Sequence, residues 1–480
     1  MRVRTRFAPS PTGELHLGNV RTAVLNWALA RRHGGALVLR FEDTDVEREV
    51  PGAAERILEG LDWLGLDLDE GPRRGGAFGP YRQSERMERY REAADLLLEA
   101  ELAYPCFCTD EELEARRREE LEAGRPPRYD GRCRDLDAGR AEALRGEGRE
   151  PALRFRTEPG EVRFRDRIRG EIGIDAAEFG DFVIVRPDGR PTYNFAVVVD
   201  DVAMEITHVI RGAGHLPNTP KQVLLYRALG AGLPEFVHVP LVLGPDGHPL
   251  SKRRGARGLL EYRDEGYHPD AVLNHLSLLS WSSPTGAEVL DRGRIVEEVD
   301  LDRLGASDAA LDPEKLRWLS GEHLRREPAE RLAARLGPFT AGRGLALSER
   351  DLVAGAEVLA ERMRTLREGA DLLAGLVVVP APSGKAAEAL EAPEAPAVLR
   401  AALEAWRAVP AWGREEVRAG LKEARQASPA SGAGFYHPVR AALTSALEGP
   451  NLADVAYVLG RDRTLGRLER ALEGLGTDDT

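Results

Sequence analysis

The chain has 480 residues, 42% of them hydrophobic, enough for several packed domains, and no apolar run approaches the ~20 residues a membrane span needs. With 67 basic against 80 acidic residues its net charge is −13, which excludes attraction to nucleic acid by the molecule as a whole and confines any such binding to local basic faces. There is no signal-peptide core, and the three cysteines share one 28-residue window, so a cytoplasmic, reduced protein is expected, with metal favoured over disulfide.

Residues 2–8 alternate as a strand, and Asn19 to Arg31 has the helical spacing, with Val20, Val24, Trp27 and Ala28 on its apolar side. ALVLRFEDTD reads as a buried strand ending in acids, and AERILEGLDWLG as a helix that Gly65 stops. This is the βαβα rhythm of a parallel sheet. From about Tyr81 the pattern changes to a helix (MERYREAADLLLEAELA), the cysteine window, a charged helix over Asp110–Glu122, and two arginine-rich strands, ALRFR and EVRFRD; residues 83–187 read as an insertion. The α/β pattern resumes at FVIVRPDGRPTYNFAVVVDD, with Pro-Asp-Gly as a turn. Asn218-Thr219-Pro220 opens a helix, with a capping side chain before a proline at the first helical position, and Gly230 closes it. EFVHVPLVL is a strand leading through GPDG into PLSKRRGARG, and beyond about 255 the reading is helical, interrupted by four prolines at 377–396.

Residues 9–19 aim a helix N-terminus, whose free N–H groups and positive dipole end suit phosphate. Pro9 and Pro11 restrict the loop, Gly13 permits the turn, Gly18 offers no side chain to keep a flat ligand away, and His16 and Asn19 are three apart. Neither a dinucleotide fingerprint nor a Walker A sequence is present, which removes the main support for hydride transfer and P-loop hydrolysis. On spacing alone the stretch also reads as a structural turn with a surface histidine. Far along the chain, Ser251-Lys252-Arg253-Arg254 is a cationic loop between glycines, suited to closing on a triphosphate, although such a run is commonly a solvated turn. Arginine supplies 62 of the 67 basic residues, so a lysine kept there stands out.

FAPSPTGELHLGN, LRFEDTD, GPYRQSER, YDGRC, PTYNFAVVVDD, THVIRG, NTPKQ, LSKRRGA and LDPEKLRWL follow one another in this order. The set resembles the bacterial glutamyl-tRNA synthetases of class I, over at least residues 2–320, and HPVRAALT with LGRDRTLGRLERAL resembles their C-terminal end. HLGN stands at the first class I signature and LSKRR at the second. The resemblance implies a Rossmann-like parallel-sheet catalytic domain with an inserted α+β domain, followed by an all-helical anticodon-binding region. The expected divisions are 1–82 and 188–245 (catalytic), 83–187 (inserted, binding the tRNA acceptor end), 246–322 (SKRR loop and stem contact), 323–378 and 379–480 (anticodon binding). It further implies that glutamate is activated by ATP, with Mg²⁺, and transferred to tRNA(Glu), by a monomer needing bound tRNA and no membrane or DNA partner.

Carried over by position, the resemblance assigns His16, Asn19 and Lys252 to catalysis, and Pro9, Thr12, Gly18, Ser251 and Arg253, with those three, to ATP. Arg6, Ala8, Ser10, Glu42, Tyr193 and Arg211 are assigned to glutamate. The guanidinium forks of Arg6 and Arg211 suit its side-chain carboxylate, and Glu42 suits the α-amino group. Without the resemblance, Arg6 reads as an exposed strand arginine, Glu42 as a structural ion pair and Tyr193 as core packing.

Cys106, Cys108 and Cys133 resemble the family's zinc knuckle, three thiolates spaced for tetrahedral Zn²⁺, with Asp135 standing where a histidine is common and Tyr129 as an alternative fourth ligand. Ala213 and Gly214 replace two acids, and His248-Pro249 replace two lysines, departures expected to loosen adenosine contacts and leave Lys252 and the arginines to carry the loop's charge. The basic strands at 154–169, six arginines against three acids, are candidates for acceptor-end phosphates, and Arg362 for an anticodon base, with a solvated helix face as its simpler reading. A paralogue that modifies a tRNA base would lack the 162 residues after Trp318. A different nucleotidyltransferase would not need YNFAVVVDD or the helical half, and a non-catalytic tRNA binder is favoured only by the substitutions at 213–214 and 248–249.

Overall fold

Strand β1 (Arg4–Phe7) runs where the alternation of residues 2–8 predicts it. Helix α1 (Leu17–Arg32) begins two residues earlier than its apolar spacing suggests, because the His16 carbonyl already accepts the N–H groups of Asn19 and Val20. The computed structural model describes residues 2–124, 126–250, 255–279 and 281–475. They form two units, one of Met1–Arg263 with Val272–Pro313, the other of Asp264–Ala271 with Glu314–Thr480.

In the first unit β2 (Ala36–Leu39) and α2 (Ala53–Leu64) follow, and α2 stops at Gly65, which caps it with φ of 63°, a value glycine adopts without strain. Then come α3 (Met87–Glu99), β3 (Ala103–Cys106), α4 (Asp110–Glu122), α5 (Ala138–Gly146), β4 (Ala152–Phe155), β5 (Glu161–Asp166), β6 (Gly170–Asp175), β7 (Phe182–Val185), α6 (Tyr193–Ala203), β8 (His208–Gly212), α7 (Thr219–Ala228), β9 (Glu235–Val239) and β10 (Val242–Leu243). Helix α4 carries a reciprocal cap between Thr109 and Glu112, the expected start signal for so charged a helix. Its later elements are α8 (Leu259–Asp264), α9 (Pro269–Leu278), α10 (Arg292–Glu298) and β11 (Ala309–Ala310), the last paired with β10.

The main sheet has the order β2-β1-β8-β9-β5-β6, parallel from β2 through β5, with β6 antiparallel at the edge. The chain leaves β1 toward β2 on one side and returns to β8 on the other, so the crevice at the carboxyl ends of β1 and β8 is a topological switch point, where open α/β sheets bind ligands. Helix α1 packs on β1, β2 and β8, and the buried Asn26 locks it there: its Nδ2 donates to Ile210 O at 3.1 Å, while its carbonyl accepts from Thr5 Oγ1 at 2.9 Å.

Two expectations change here. The hairpin β5–β6 extends the main sheet, so the part of 83–187 that packs separately is the antiparallel sheet β3-β4-β7 with its helices; pairing between Asp166 and Phe236 is non-local and leaves no mark in either segment. The basic strands are also largely occupied. Arg154 is buried against Cys106 and Tyr129, Arg156 pairs with Asp135, Arg163 with Glu161, and Arg167 with Glu235 and Asp302.

The second unit is helical: α11 (Pro313–Arg326), α12 (Ala329–Ala341), α13 (Glu349–Leu359), α14 (Leu366–Val377), α15 (Lys385–Glu391), α16 (Ala395–Ala408), α17 (Arg414–Ala427), α18 (Ala433–Thr444) and α19 (Leu452–Leu475). The proline-rich stretch at 377–396 contains α15, which its composition hid. One core crosses the expected boundary at 378, joining Leu336, Leu359 and Leu373 to Leu399, Trp406 and Leu459. Trp406 is completely buried, and Gly420 admits it: a Cβ on Gly420 would stand 2.9 Å from the indole.

Candidate active site

At the switch point lies a cleft of about 510 Å³ lined by residues of β1, the 8–16 loop, the start of α1, the end of β2, the start of α6 and the end of β8. It brings together Arg6, Ala8, Pro9, Ser10, Thr12, His16, Asn19, Glu42, Tyr193 and Arg211, every one singled out from the sequence. Glu42 N–H donates to Pro9 O at 3.1 Å, holding its strand end beside the loop. Gly18 is not among the lining residues; its missing Cβ makes room for the His16 ring, which such an atom would meet at 3.0 Å. Ser251, Lys252, Arg253 and Arg254 lie outside the described residues.

A buried ionic network supports the floor. Asp201, from the end of VVVDD, accepts from Arg40 Nη1 at 2.7 Å and Arg6 Nε at 3.3 Å, and Arg40 reaches Glu42 at 3.2 Å. Asp200 takes Arg86, Gln83 and Tyr90. Burial works against charge on Asp201, but Arg6 and Arg40 outweigh it and hold this carboxyl below its usual range. For Glu42 burial prevails over Arg40 and Arg6 and raises the carboxyl, so a cation arriving in the cleft would favour its ionised form. Among the described residues Arg211 donates to neutral groups only: His238 Nε2 at 3.1 Å, Thr219 Oγ1 at 2.9 Å and Gln222 Oε1 at 2.7 Å. Burial, and then the charge of Arg6, disfavour its protonated form. The cleft thus holds guanidinium charge that wants an anion.

Sequence reasoning missed Glu14, Thr22, Arg48, His215 and Asn218, which also line the cleft. Asn218 does not cap α7; no side-chain cap bond forms, because a 3₁₀ turn over Ala213–Asn218 leads into the helix. His215 is exposed as a residue, with its Nδ1 2.9 Å from the Tyr193 hydroxyl, and desolvation of the ring, then the charges of Arg211 and Arg6, bring its pKa down to about 4, so it is neutral at pH 7. The two small residues before it, Ala213 and Gly214, were the available signal: a Cβ on Gly214 would meet nothing within 4 Å, an opening beside the cleft. His248 and Pro249 are exposed on the GPDG hairpin.

Away from the cleft, the Cys106, Cys108 and Cys133 sulfurs lie within 4.8 Å of one another. Cys108 Sγ and Cys133 Sγ are 3.7 Å apart, the edge of a tetrahedron with metal–sulfur bonds of about 2.3 Å. The Tyr129 hydroxyl is 3.3 Å from Cys106 Sγ and 3.7 Å from Cys108 Sγ. Asp135 is not brought in: it is exposed and its carboxylate is drawn to Arg156 at 3.1 Å. Hydrogen bonding from Cys108, against burial, and then from Tyr129 and Arg154 brings the Cys106 pKa down to about 4, that of a ready thiolate.

In the second unit Arg362 is exposed, and its charge, added to burial, lowers the pKa of Arg440, whose Nη1 donates to Pro450 O at 2.7 Å. No helix among the described residues is long and apolar enough to cross a membrane.

Residues 2–318 match the family model of tRNA synthetases class I (E and Q), catalytic domain, and residues 331–472 match an anticodon binding domain. The chain is 42% identical to the glutamate–tRNA ligase of Moorella thermoacetica over 98% of each chain. It is 43% identical to that of Symbiobacterium thermophilum, over 98% of this chain and 99% of the relative. A solved structure of a glutamate tRNA ligase from Elizabethkingia meningosepticum, in complex with its amino acid, matches with a TM-score of 0.86 at 32% identity, covering 99% of this chain and all of that one.

Proposed function

Since the chain belongs to the glutamate–tRNA ligases of the class I synthetase family, we propose that the cleft between β1 and β8 is where it activates glutamate. The enzyme joins L-glutamate to ATP as glutamyl-adenylate, releasing diphosphate, and transfers the glutamyl group to the 3′ end of tRNA(Glu), releasing AMP. The observation that carries the site reading is the convergence of two buried arginines, Arg6 and Arg211, with a helix N-terminus at the sheet's switch point.

The nucleophile is the substrate's own α-carboxylate, already ionised at neutral pH, so no protein base is required. The obstacle is repulsion between that anion and the triphosphate, which positioning and fixed positive charge relieve. In this reading Arg6 and Arg211 hold the side-chain carboxylate, with Tyr193 and Ala8 closing around it. Glu42 and Ser10 take the α-ammonium, whose charge reverses the effect of burial on Glu42. The N–H groups at the start of α1, with His16, Asn19, Pro9, Thr12 and Gly18, receive the nucleotide. Lys252, with Ser251 and Arg253, neutralises the departing diphosphate. Mg²⁺ supplies charge neutralisation on the ATP phosphates. Among the described residues Glu14 and Glu42 are the carboxylates lining the cleft, and Glu42 is already engaged, so the donor set fits an ion carried mainly by phosphate oxygens.

Zn²⁺ in the knuckle fits three sulfurs at tetrahedral spacing with the Tyr129 hydroxyl beside them. When bound, it supplies cross-linking of β3 to the 129–133 loop. Arg362 and Arg440 form a cationic pair suited to an anticodon nucleotide. A monomer working in the cytoplasm, with the β5–β6 hairpin part of the main sheet and the helices on both sides of residue 378 sharing one core, completes the reading.

Diphosphate exchange tests it. Exchange dependent on glutamate, ATP and tRNA(Glu) is expected, and the Arg211→Met protein should lose it at ordinary glutamate concentrations. Undiminished exchange by that variant would remove the cleft assignment.

A further inference from the structure

His238 on β9 is completely buried and is not among the residues lining the cleft. Its Nδ1 lies 2.7 Å from Asp166 Oδ2, and its backbone N–H donates to the same oxygen at 3.0 Å. Asp166 Oδ1 accepts the N–H groups of Ile168 at 3.0 Å and Arg169 at 2.9 Å, so the carboxylate is fixed on both sides at the end of β5. An ionised carboxylate only accepts, so the proton sits on Nδ1 and Nε2 keeps its lone pair. That lone pair faces Arg211 Nε and Thr219 Oγ1, both at 3.1 Å. Thr219 and Gln222 hold Arg211 Nη2, so three neutral acceptors orient the guanidinium, and Nη1 has no partner among the described residues.

The contrast with Arg6 is informative. Arg6 and Arg40 share the carboxylate of Asp201, whereas no carboxylate pairs with Arg211 among the described residues. A carboxylate in place of His238 would orient Arg211 equally well but cancel the charge a substrate anion needs. An imidazolium would set N–H against N–H and bury two cations together. The neutral Nδ1–H imidazole avoids both. The charged and titratable groups around it are Asp166 on β5, Arg169 just beyond that strand, Arg211 on β8 and His215 in the turn before α7.

The geometry points to Asp166 and His238 as a positioning pair that makes the cleft select a carboxylate over a carboxamide: Asp166 fixes the tautomer, and His238 orients Arg211 without neutralising it. This rests on the reading that Arg211 holds the glutamate side chain, and it adds two residues that touch no substrate.

The test is tRNA-dependent diphosphate exchange with glutamate and ATP varied in turn. His238→Phe keeps a ring against Phe236 but has no acceptor, and the KM for glutamate should rise about 10- to 100-fold, the worth of a hydrogen bond to a charged group, with the KM for ATP within about twofold. His238→Gln places Oε1 near the Nε2 position and should recover most of the loss. Asp166→Asn should act like His238→Phe. In ¹⁵N-histidine spectra of the unaltered enzyme, the His238 signal, identified by its loss in His238→Gln, should be the Nδ1–H form. Arg211→Met separates the two readings. If it abolishes glutamate dependence while folded His238→Phe retains its KM, the positioning pair is wrong; if Arg211→Met has no effect, the underlying reading is wrong. Should His238→Phe fail to fold, the spectrum decides: an Nε2–H or doubly protonated ring overturns the proposal, and the Nδ1–H form supports it.

Discussion

The main chain of His16 pairs with that of Gly258 in an antiparallel bridge, and the adjacent Leu259 N–H donates to Leu15 O at 2.8 Å. A segment six residues past Lys252 is therefore fastened to the turn that opens α1, although some 240 residues of chain separate them. The bridge supports a shared nucleotide site for the two signatures. Lys252→Ala should lower the rate of glutamate-dependent exchange about 100- to 1,000-fold, the usual loss when a group stabilising departing charge is removed. The KM for glutamate should change little. Steady-state exchange measures both, and an unaltered rate would contradict the role given to this lysine.

Acid should weaken the fold through imidazoles that desolvation and neighbouring arginines hold neutral. His215 has a pKa of about 4 because desolvation, Arg211 and Arg6 oppose its charge, and desolvation also lowers His238 and His208 from 6.5. Between these values and 6.5 the unfolded chain binds more protons than the folded one, so this contribution is complete above pH 6.5 and is lost as pH falls toward 4. Melting temperatures measured from pH 7.5 down to 4.5 should fall, and the fall should be shallower in His215→Asn. Equal slopes for the two proteins would mean that His215 is not held neutral.

Zinc should follow the tyrosine and leave the aspartate aside. Metal analysis of protein purified with zinc present should give about one equivalent, lost in Cys133→Ser and weakened in Tyr129→Phe. Asp135→Ala should keep its metal, because that carboxylate is committed to Arg156. Loss of metal in Asp135→Ala with retention in Tyr129→Phe would reverse the assignment.

Trp406 fills the centre of the helical core, with its Nε1 donating to Val417 O at 3.0 Å. Trp406→Ala should cost about 3–5 kcal/mol, the typical price of truncating a buried aromatic. Urea unfolding followed by helix signal should show a transition of the C-terminal unit moved to lower denaturant. A shift below about 1 kcal/mol would mean that the core closes over the gap.

Much was legible in the sequence because it is local. Alternation and helical spacing located β1, α1 and α2, glycine and proline marked the turns, and charge marked α4. Arg6, Glu42, Tyr193 and Arg211 were recognisable through ordered motifs, since a motif records a residue type at a fixed place in the chain. No spacing rule says that Asp166 will reach His238 across 72 residues, that β5 will join the parallel sheet, or that Asp135 will turn to Arg156 while Tyr129 meets the cysteines.

Order along the chain was enough to set which residue types were available and which elements would carry them, because propensity and periodicity act over a few residues. Which charges are offset was settled by folding. Arg6 shares Asp201 with Arg40 while Arg211 is left to a neutral imidazole, a difference that depends on strand order and burial, since Coulomb energy and desolvation depend on distances through space and not along the chain.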